Sequence, residues 1–566
     1  MVTHVNTRWK IAEAISEEEQ RELAAYPKVL QQLMVNRGVR TAEAAEKYLN
    51  GAGSHHDPFA LKNMAEAVGR ILEAIDKDQK IVIYGDYDAD GVTATALLNQ
   101  ILTNLGANVT PYIPNRFDEG YGLNMEALDR LHAEGTDLII TVDCGIRSLD
   151  EITHAYEIGL EMIVSDHHEP AANLSDHAIV VCPKQIDDLY PEKNLAGVGV
   201  AFKIAEALAS QRPLKSCQLQ DVLDLVAVGT VADLVPLTGE NRSLVQAGLE
   251  TLRGGRRQGL FSLMQAAGVD VQNADAGSIG YGIGPRINAA GRLDQANPAL
   301  DLLLSDDLLQ TGMLAQQLDD LNQQRKNITQ WIQEEAEKQA LDDGDNYLLF
   351  AAHPEFKEGV VGLAASRLTE SYYRPSVVGH RGEETTRASC RSIPEFHITK
   401  ALDKCADLLV RHGGHAMAAG FTVRNENLDE LITRLQDIAR RELEGQELCP
   451  EYKADMELAL HELHPDILQW IAKLEPTGQK NPSARFVSRR VRVTRSRQVG
   501  RDRSHLKMTV TDGQVFFDAI AFRQGHWYGN MPEHIDILYS YETNDFNGRV
   551  TLQLNVKDIK PSEIGE

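Results

Sequence analysis

Short β-branched runs alternate with helical segments between residues 80 and 182, and this alternation constrains the fold more than any other feature. The runs are KIVIY (80–84), NVTPYI (108–113), DLIIT (137–141), LEMIVS (160–165) and AIVVC (178–182). Intervening segments such as VTATALLNQILTNLG repeat apolar residues every three or four positions. This pattern predicts βαβ units and a doubly wound parallel sheet. Ligands of such sheets bind beyond the carboxyl ends of the strands, so we expect a site there.

The rest of the chain predicts further domains, because 566 residues are too many for one core. The polar segment starting LLQTGMLAQQL has no Gly or Pro after its first turn and predicts a long helix that joins two domains. A second α/β segment follows, and short alternating strands such as RFVSRRVRVTRS then predict a barrel of the OB type. The predicted parts are an N-terminal helical segment (1–49), an α/β domain (50–300), the connecting helix (301–345), a second, smaller α/β domain (346–450) and the OB-type barrel (451–566).

Composition favours a cytoplasmic globular protein. Hydrophobic residues make up 43% and charged residues 25% of the chain, and no run approaches the roughly 18 apolar residues of a membrane span. The first twenty residues lack the apolar core of a signal peptide, so we expect no membrane association. The six cysteines form no C-x-x-C pair, which argues against a zinc ribbon or a disulfide framework. The net charge of −26 disfavours a nucleic-acid partner on average, but partner surfaces are local.

Acidic and imidazole residues follow three of the predicted strands. YGDYDADG places Asp86, Asp88 and Asp90 after the run IVI, TVDCG places Asp143 after the next buried run, and SDHHEP places His167 and His168 after another. Asp233 is the only charge in the apolar segment VAVGTVADLVPL. Carboxylates and imidazoles without a thiolate pair favour Mn²⁺ or Mg²⁺ over structural zinc. The number of acids favours two ions, the usual arrangement for hydrolysis at phosphorus.

Each of these motifs also has an ordinary interpretation. The three aspartates of DYDADG could cap the helix that begins near Val92, and the two histidines could form an exposed turn. Asp233 could cap a helix or accept an internal hydrogen bond. Together, the positions of the four motifs favour a metal centre.

The motifs DYDADG, VDCG, SDHH and GTVADLVPL, in this order, resemble the four metal-binding motifs of the DHH phosphoesterase superfamily. GGHAMAAGF (413–421) is similar to the glycine-rich motif of its associated C-terminal domain. The resemblance implies a DHH domain followed by a DHH-associated domain. It implies ligation of two Mn²⁺ or Mg²⁺ ions by Asp88, Asp90, Asp143, His167 and Asp233, with Asp143 as the bridge. It also implies contact between His168 and the scissile phosphate. Many members have a histidine where this chain has Tyr84, which leaves Asp86 as the candidate for the missing ligand.

The order of the domains resembles the bacterial 5′ exonucleases of this superfamily that are specific for single-stranded DNA. The resemblance implies 5′ to 3′ cleavage to nucleoside 5′-monophosphates in recombination and repair. The strand would thread between the two α/β domains. It also implies single-strand-binding protein and a DNA helicase as candidate partners, and we expect a monomer. Two alternatives remain: a phosphodiesterase for oligoribonucleotides or cyclic dinucleotides, and a non-catalytic replication scaffold of the same fold.

Several basic and polar residues are candidate contacts to DNA. Arg116 follows a strand end, and the glycine-rich GIGPRINAAGRL and the strand TRASCRS offer further cations beside small residues. The candidates for the 5′ phosphate and the adjoining backbone, by resemblance, are Arg116, Arg286, Asn288, Arg292, Ser389, Arg391 and His415. Between Pro482 and Val510 nine Arg or Lys stand against one acid, which predicts single-strand binding through Arg490, Arg492 and Arg495, with Phe486 and His505 nearby. Any of these cations could instead be ordinary solvated surface.

Overall fold

The structure is a computed structural model that describes residues 6–51, 55–115, 122–171, 173–342, 347–546 and 549–562. The chain divides into two compact units. The larger unit comprises Trp9–Asn288, Ala296–Gln316 and Lys453–Glu566, and the smaller unit comprises Met1–Arg8, Ala289–Gln295 and Gln317–Tyr452.

The first half of the chain forms short N-terminal helices and then a parallel sheet. The elements up to the sheet are β1 (Arg8–Ile11), α1 (Glu17–Glu22), α2 (Lys28–Asn36), α3 (Ala42–Asn50) and α4 (Met64–Asp76). The elements of the sheet region are β2 (Lys80–Gly85), α5 (Ala89–Leu105), β3 (Asn108–Tyr112), α6 (Met125–Ala133), β4 (Leu138–Val142), α7 (Leu149–Glu157), β5 (Glu161–Ser165), β6 (Ile179–Val181) and α8 (Gly197–Gln211).

The strands of this region form one parallel sheet in the order β3-β2-β4-β5-β6, which confirms the predicted doubly wound fold. β4 is buried along its whole length, as its continuous apolar run requires. α5 begins after Asp88 as N-cap and ends at Gly106, whose φ of 89° suits a glycine C-cap. β3 lies on one side of β2, and β4, the next strand along the chain, lies on the other side. The strand order therefore reverses between β2 and β4.

Helices connect this sheet to the smaller unit. They are α9 (Leu223–Ala232), α10 (Gly239–Arg253), α11 (Gln258–Ala267), a π-helical turn (Ser278–Ile283), α12 (Gly284–Leu293), α13 (Asn297–Leu304) and α14 (Leu308–Asp342). α14 is the predicted long connecting helix: its first residues belong to the larger unit and the remainder to the smaller.

The smaller unit is a second α/β domain. Its elements are β7 (Leu349–His353), α15 (Glu358–Tyr372), β8 (Ser376–Arg381), β9 (Thr385–Arg391), α16 (Ile398–Asp403), β10 (Leu409–Gly414), β11 (Ala418–Arg424) and α17 (Leu428–Leu443). The sheet order is β10-β11-β9-β8-β7, with β7 and β8 parallel and the other neighbours antiparallel. Buried apolar residues of α16 and α17 form a core with β9 and β11.

The C-terminal region is a closed barrel. Its elements are β12 (Glu451–Ala454), β13 (Met456–Glu457), α18 (Asp466–Ala472), β14 (Phe486–Val499), β15 (His505–Thr511), β16 (Phe516–Ala521), β17 (His534–Phe546) and β18 (Arg549–Pro561). β14 pairs with both β15 and β17, and the order β14-β15-β16-β18-β17 therefore closes, as expected for an OB fold.

The barrel and the N-terminal helices share one core. Leu30 and Leu33 of α2 are fully buried in the same cluster as barrel residues such as Val491 and Ile537. Phe486 is also fully buried in this core. The expectation that Phe486 lies near bound DNA was therefore wrong, because its position on β14 turns the ring into the barrel.

Two predictions from composition can be compared with the described residues. Within these residues, no helix combines the length and apolar character that crossing a bilayer requires. All six cysteines are free, and burial, together with the charge of Asp166, raises the pKa of Cys144 well above its ordinary value. Cys144 is thus a packed thiol beside Asp143.

Candidate metal centre and nucleic-acid surface

The predicted acids converge where the strand order of the parallel sheet reverses. Asp86 follows β2 and Asp143 follows β4, and these two strands are neighbours. His167 and His168 follow β5, the next strand. Carboxyl ends of parallel strands meet at one edge, which is the usual binding position of this fold.

Backbone constraints fix Asp143. Its φ is 61°, a left-handed conformation that is uncommon outside glycine, and its N–H donates to the carbonyl of Ser165 at 3.1 Å. Gly197, the first residue of α8, lies directly against it: a Cβ at Gly197 would be 2.7 Å from Cβ and 2.9 Å from Oδ1 of Asp143. A larger residue at 197 would displace the carboxylate.

Asp90 is held by the amino end of another helix. Its carboxylate accepts hydrogen bonds from the N–H groups of Gly197 (2.7 Å) and Val198 (2.8 Å) at the start of α8. The side chain is almost fully buried. Burial, followed by the charges of Asp233 and Asp88, raises the pKa of Asp90 well above its usual value. The site thus holds a carboxylate that is costly to ionise without a cation nearby.

The two histidines have different environments. Burial, with the neighbouring His168, lowers the pKa of His167 to about 4, so its ring is neutral at pH 7 and can act as a ligand. For His168, burial opposes the charged form, but the hydrogen bond and charge of Asp166 outweigh it and raise its pKa. Asp166 Oδ1 lies 2.8 Å from His168 Nδ1. Asp166 therefore orients His168 and supports its charged form.

Asp233 completes the cluster from the end of α9. Its carboxylate lies 3.6 Å from His167 Nε2, and burial followed by the charge of Asp88 raises its pKa to about 7. The side chain keeps 24% of its surface exposed, so it is less buried than its apolar sequence segment indicated. Residues 223–231 of α9 are buried, whereas Asp233 lies just beyond the last helical residue.

Ligand atoms of these residues form three overlapping groups. Within each group all of the ligand atoms lie within 4.8 Å of one another: Asp86, Asp88 and Asp143; Asp90, His167 and Asp233; and Asp143, His167 and His168. Asp143 and His167 each belong to two of these groups. Among the described residues, Asp143 Oδ1 and His167 Nε2 are buried without a hydrogen-bond partner and lie 3.0 Å apart. Burial, followed by the charge of Asp90, also raises the pKa of Asp143 well above its usual value. Buried polar atoms of this kind, and three carboxyls with raised pKa, fit a site for divalent cations.

The two uncertain positions of the first motif are now located. Tyr84 is fully buried in the core beneath the sheet, where its hydroxyl donates to the carbonyl of Gly122 at 3.1 Å. Asp86 lies among the carboxylates instead. Asp88 is also the cap of α5, since its Oδ1 accepts from Asp90 N–H at 2.9 Å and Gly91 N–H at 3.2 Å. Asp88 therefore caps the helix, which was the alternative to binding a metal ion. The cap uses only Oδ1 of Asp88 and does not need Oδ2.

Two candidate DNA contacts of the larger unit hold the backbone near the metal cluster. The amide oxygen of Asn288 accepts from Ala89 N–H at 2.8 Å, directly between Asp88 and Asp90. Arg286 Nη1 donates to the carbonyl of Gly282 at 2.7 Å. Arg116 lies outside the described residues.

Three candidates lie together in the smaller unit. Arg292 Nη1 donates to the carbonyl of Gly359 at 3.3 Å, at the start of α15. One turn later, a Cβ at Gly362 would be 3.2 Å from Arg391 Nη2 and 3.4 Å from Ser389 Oγ. The period-two spacing on β9 thus places Ser389 and Arg391 on one face, against α15. His415 is exposed in the turn between β10 and β11, where its N–H donates to the carbonyl of Ala418 at 2.7 Å. Ala418 pairs with Arg391 of β9.

The basic strand β14 carries its cations on the outside of the barrel. Arg492, Arg495 and Arg497 pair with Thr511, Thr509 and Lys507 of β15. The intervening pair Val493 and Val510 points inward, and Val510 is fully buried. The same three residues of β15 pair on their other side with Phe516, Asp518 and Ile520 of β16. Phe516 is 65% exposed. Arg490 is exposed at an irregularity of β14. We call Arg492, Arg495, Arg497 and Lys507 the basic face.

Family models match three parts of the chain. The DHH family N-terminal domain matches residues 80–230, the DHHA1 domain matches 344–441 and the RecJ OB domain matches 454–558. A protein of Bacillus subtilis named single-stranded-DNA-specific exonuclease RecJ is 39% identical over 94% of this chain and 68% of its own length. The RecJ of Salmonella typhimurium is 36% identical over 96% of this chain and 98% of its own length.

This chain belongs to the RecJ family. The crystal structure of RecJ from Thermus thermophilus in complex with Mn²⁺ has a TM-score of 0.85 and 31% identity, covering 98% of this chain and 80% of that one. The structure of the same protein with Mg²⁺ has a TM-score of 0.79. The carboxylate and imidazole groups of this RecJ-family chain fit the same two kinds of ion.

Some residues of this RecJ-family site were not predicted. Asp166 is part of the SDHH motif, but its role as the hydrogen-bond partner of His168 was not predicted. The acid two residues before the imidazole could have indicated this pair. Lys184 follows β6 and pairs with Glu169 at 3.3 Å, and its charge reaches His167 and Asp233.

Proposed function

We propose that this protein removes nucleotides one at a time from the 5′ end of single-stranded DNA, releasing nucleoside 5′-monophosphates, in recombination and repair. The observation that carries the proposal is the cluster of five aspartates and two histidines at the reversal of strand order, in a chain of the RecJ family. The metal ligands, the bridging role of Asp143 and the DNA contacts below are part of the proposal.

The cluster would hold two Mn²⁺ or Mg²⁺ ions through Asp86, Asp88, Asp90, Asp143, His167 and Asp233. When bound, the ions supply Lewis acidity toward the phosphate and activate water as the nucleophile. His168 has a different task. Its Nδ1 is engaged by Asp166, and its charged form is supported, so its Nε2 would donate a hydrogen bond to the scissile phosphate.

The basic face supports binding of a single strand. A row of guanidinium and ammonium groups can follow successive phosphates, and Phe516 across β15 offers an aromatic ring to a base. Because the protein carries a net charge of −26, a local basic surface concentrates DNA there and not elsewhere. Arg490 is included as a contact because its side chain is exposed beside this face.

The cluster of Arg292, Ser389 and Arg391 in the smaller unit supports recognition of a terminal 5′ phosphate. A hydroxyl and guanidinium groups match a phosphate dianion, and Gly359 and Gly362 keep α15 close to them. Burial lowers the pKa of Arg391, as expected for a cation held partly away from water. Arg116, Arg286, Asn288 and His415 complete the proposed set of contacts.

An assay of mononucleotide release from a single strand tests the proposal. The parent should release nucleoside 5′-monophosphates with Mn²⁺ or Mg²⁺ and none with excess EDTA. Asp143→Ala should abolish release while circular dichroism remains that of the parent, because two of the three groups of ligand atoms lose a shared member. Release by Asp143→Ala within tenfold of the parent, or equal release with EDTA, would contradict it.

The proposal extends to the setting of the protein. We propose that it acts as a monomer in the cytoplasm, with single-strand-binding protein and a DNA helicase as partners. A helicase would supply the single strands that the proposed activity requires. Sedimentation of the protein alone and with each partner tests this part independently of catalysis.

A further inference from the structure

Tyr281 is a large aromatic side chain that the fold presents to solvent. It is 87% exposed and lies on the π-helical turn Ser278–Ile283, whose residues Ile279 and Ile283 are buried. Turns of this kind are rare and are frequent at functional sites. An isolated exposed ring is ordinary on a protein surface, so its position relative to the metal centre decides whether it matters.

The turn is packed against the helix that ends at the metal centre. A Cβ at Gly280 would be 3.9 Å from Val231 Cγ1, and a Cβ at Gly284 would be 3.1 Å from Ala232 Cβ. Both contacts are with the last turn of α9, which Asp233 follows. Glycines at these positions therefore bring the turn that carries Tyr281 close to the end of α9, which the cluster residue Asp233 follows.

The turn is also held rigidly. A Cβ at Gly282 would be 2.9 Å from Val269 Cγ2, so the backbone is tightly packed on that side. On the other side, Arg286 Nη1 donates to the carbonyl of Gly282. Asp275 caps the beginning of the turn by accepting from Ser278 N–H at 2.7 Å. The side chain of Tyr281 is thus carried by a fixed backbone, which lowers the entropy cost of using it as a contact surface.

A second exposed apolar side chain follows the metal ligand itself. Leu234 is 71% exposed and has a φ of 61°, a left-handed conformation that is rare for leucine. Three residues later, Leu237 N–H donates to the carbonyl of Gln479, which fixes the segment at its other end. The fold therefore presents Leu234 and Tyr281 to solvent from two segments that meet at the end of α9.

We propose that Tyr281 is the surface on which the base next to the scissile phosphodiester stacks, and that Leu234 extends this surface. The inference rests on the proposed function. A nucleotide combines an anionic phosphate with apolar base faces, and the carboxylate cluster with its cations serves only the phosphate. Stacking on an aromatic ring accepts all four bases, as an exonuclease that degrades every sequence requires.

The first test measures kcat/KM for single strands with a full set of bases and for strands with one abasic site at the first, second or third nucleotide from the 5′ end. Tyr281→Ala should lower kcat/KM about tenfold on the full strand, and Tyr281→Phe should stay within twofold of the parent. When the abasic site stands at the position that stacks on Tyr281, kcat/KM of the parent should also fall about tenfold. The same abasic site should not lower kcat/KM of Tyr281→Ala any further. A purely structural role would slow the variant equally on every strand, and that result would overturn the inference.

The second test needs no cleavage. Strands with 2-aminopurine at each of these positions are bound in Ca²⁺, and stacking should quench the fluorescence at one position in the parent but not in Tyr281→Ala. Equal fluorescence in both proteins at all positions would overturn the inference. If the parent quenches but releases no mononucleotides with Mn²⁺, the proposed function fails while the stacking surface stands.

A matched control is Tyr156→Ala. Tyr156 is 60% exposed on α7, where it stacks on His177 at 4.2 Å. The Tyr156→Ala substitution should leave kcat/KM and the 2-aminopurine fluorescence pattern unchanged. Loss of the pattern in Tyr156→Ala as well would show a general effect of removing surface tyrosines and would overturn the assignment to Tyr281.

Discussion

Gly197→Ala should inactivate the site without unfolding the protein. The added Cβ would stand 2.7 Å from Asp143 Cβ and 2.9 Å from its Cγ and Oδ1. Carbon atoms in contact prefer about 3.5–4.0 Å, so the Asp143 carboxylate must move by about 1 Å. Misplacement of a reacting group by about 1 Å can cost roughly 100-fold in rate, and we expect a loss of that size.

The effect on stability should be small by comparison. Alanine in place of glycine favours a helix by up to about 1 kcal/mol, whereas overpacking a buried contact costs about 1–3 kcal/mol. The free energy of unfolding should therefore change by no more than about 2 kcal/mol. Mononucleotide release, thermal unfolding and Mn²⁺ titration of the same preparations separate the two effects.

Gly199→Ala is the matched control on the same helix. The nearest atoms to a Cβ at Gly199 would belong to Leu195, at 3.4 Å, which is an ordinary contact. This variant should keep the parental rate. A folded Gly197→Ala that retains a third or more of the parental rate, or an equal loss in Gly199→Ala, would refute the position of Asp143 at the reacting centre.

Three further predictions follow from the site. Replacing Arg492, Arg495 and Arg497 with Ala should weaken single-strand binding and reduce the slope of log affinity against log salt by about 2, because three phosphate contacts are lost. Arg391→Ala should lose the preference for a 5′-phosphorylated strand over a 5′-hydroxyl strand while still cleaving both slowly with Mn²⁺. Mn²⁺ affinity should fall as the pH drops below about 7, because the Asp233 carboxyl, with its pKa raised to about 7, then holds a proton that the ion must displace.

Each of these has a comparison that can contradict it. Arg440 and Arg441 are exposed cations of α17, and their replacement should leave the salt slope unchanged. An unchanged 5′-phosphate preference in Arg391→Ala would remove that residue from the terminal pocket. Calorimetric titration of Mn²⁺ at pH 6 in two buffers of different ionisation enthalpy should report proton release, and its absence would place the Asp233 carboxyl outside the ligand set.

The parallel sheet and the convergence of its acids could be predicted because both depend on local patterns. β4 is a continuous apolar run in the sequence and is buried along its length. Asp86 and Asp143 follow adjacent strands, and parallel topology alone brings such residues together. The closed barrel followed in the same way from short alternating strands.

The inward or outward direction of β14 residues could not be predicted at every position. Its pairing with β17 is irregular between Ser488 and Val491, so the alternation changes phase there. Consecutive residues Arg489 and Arg490 are both exposed as a result, whereas Phe486 faces the core. An extra residue in a strand leaves no clear signal in a single sequence.

Contacts between distant segments were also beyond prediction. The bond from Ala89 to Asn288 joins residues 199 positions apart, and Gly197 meets Asp143 only in the folded chain. The shared core of the N-terminal helices and the barrel has a practical consequence. Deleting residues 451–566 to test for a phosphodiesterase that needs no barrel would expose that core, so substitutions on the basic face are the sound alternative.

The central claim is tested most directly by the order in which labels leave a linear single strand. With Mn²⁺, a 5′ label should be released at once as a mononucleotide, a 3′ label should be released last and a circular single strand should be resistant. Early release of the 3′ label, or cleavage of circles as fast as linear strands, would contradict a 5′ exonuclease even with the metal cluster intact.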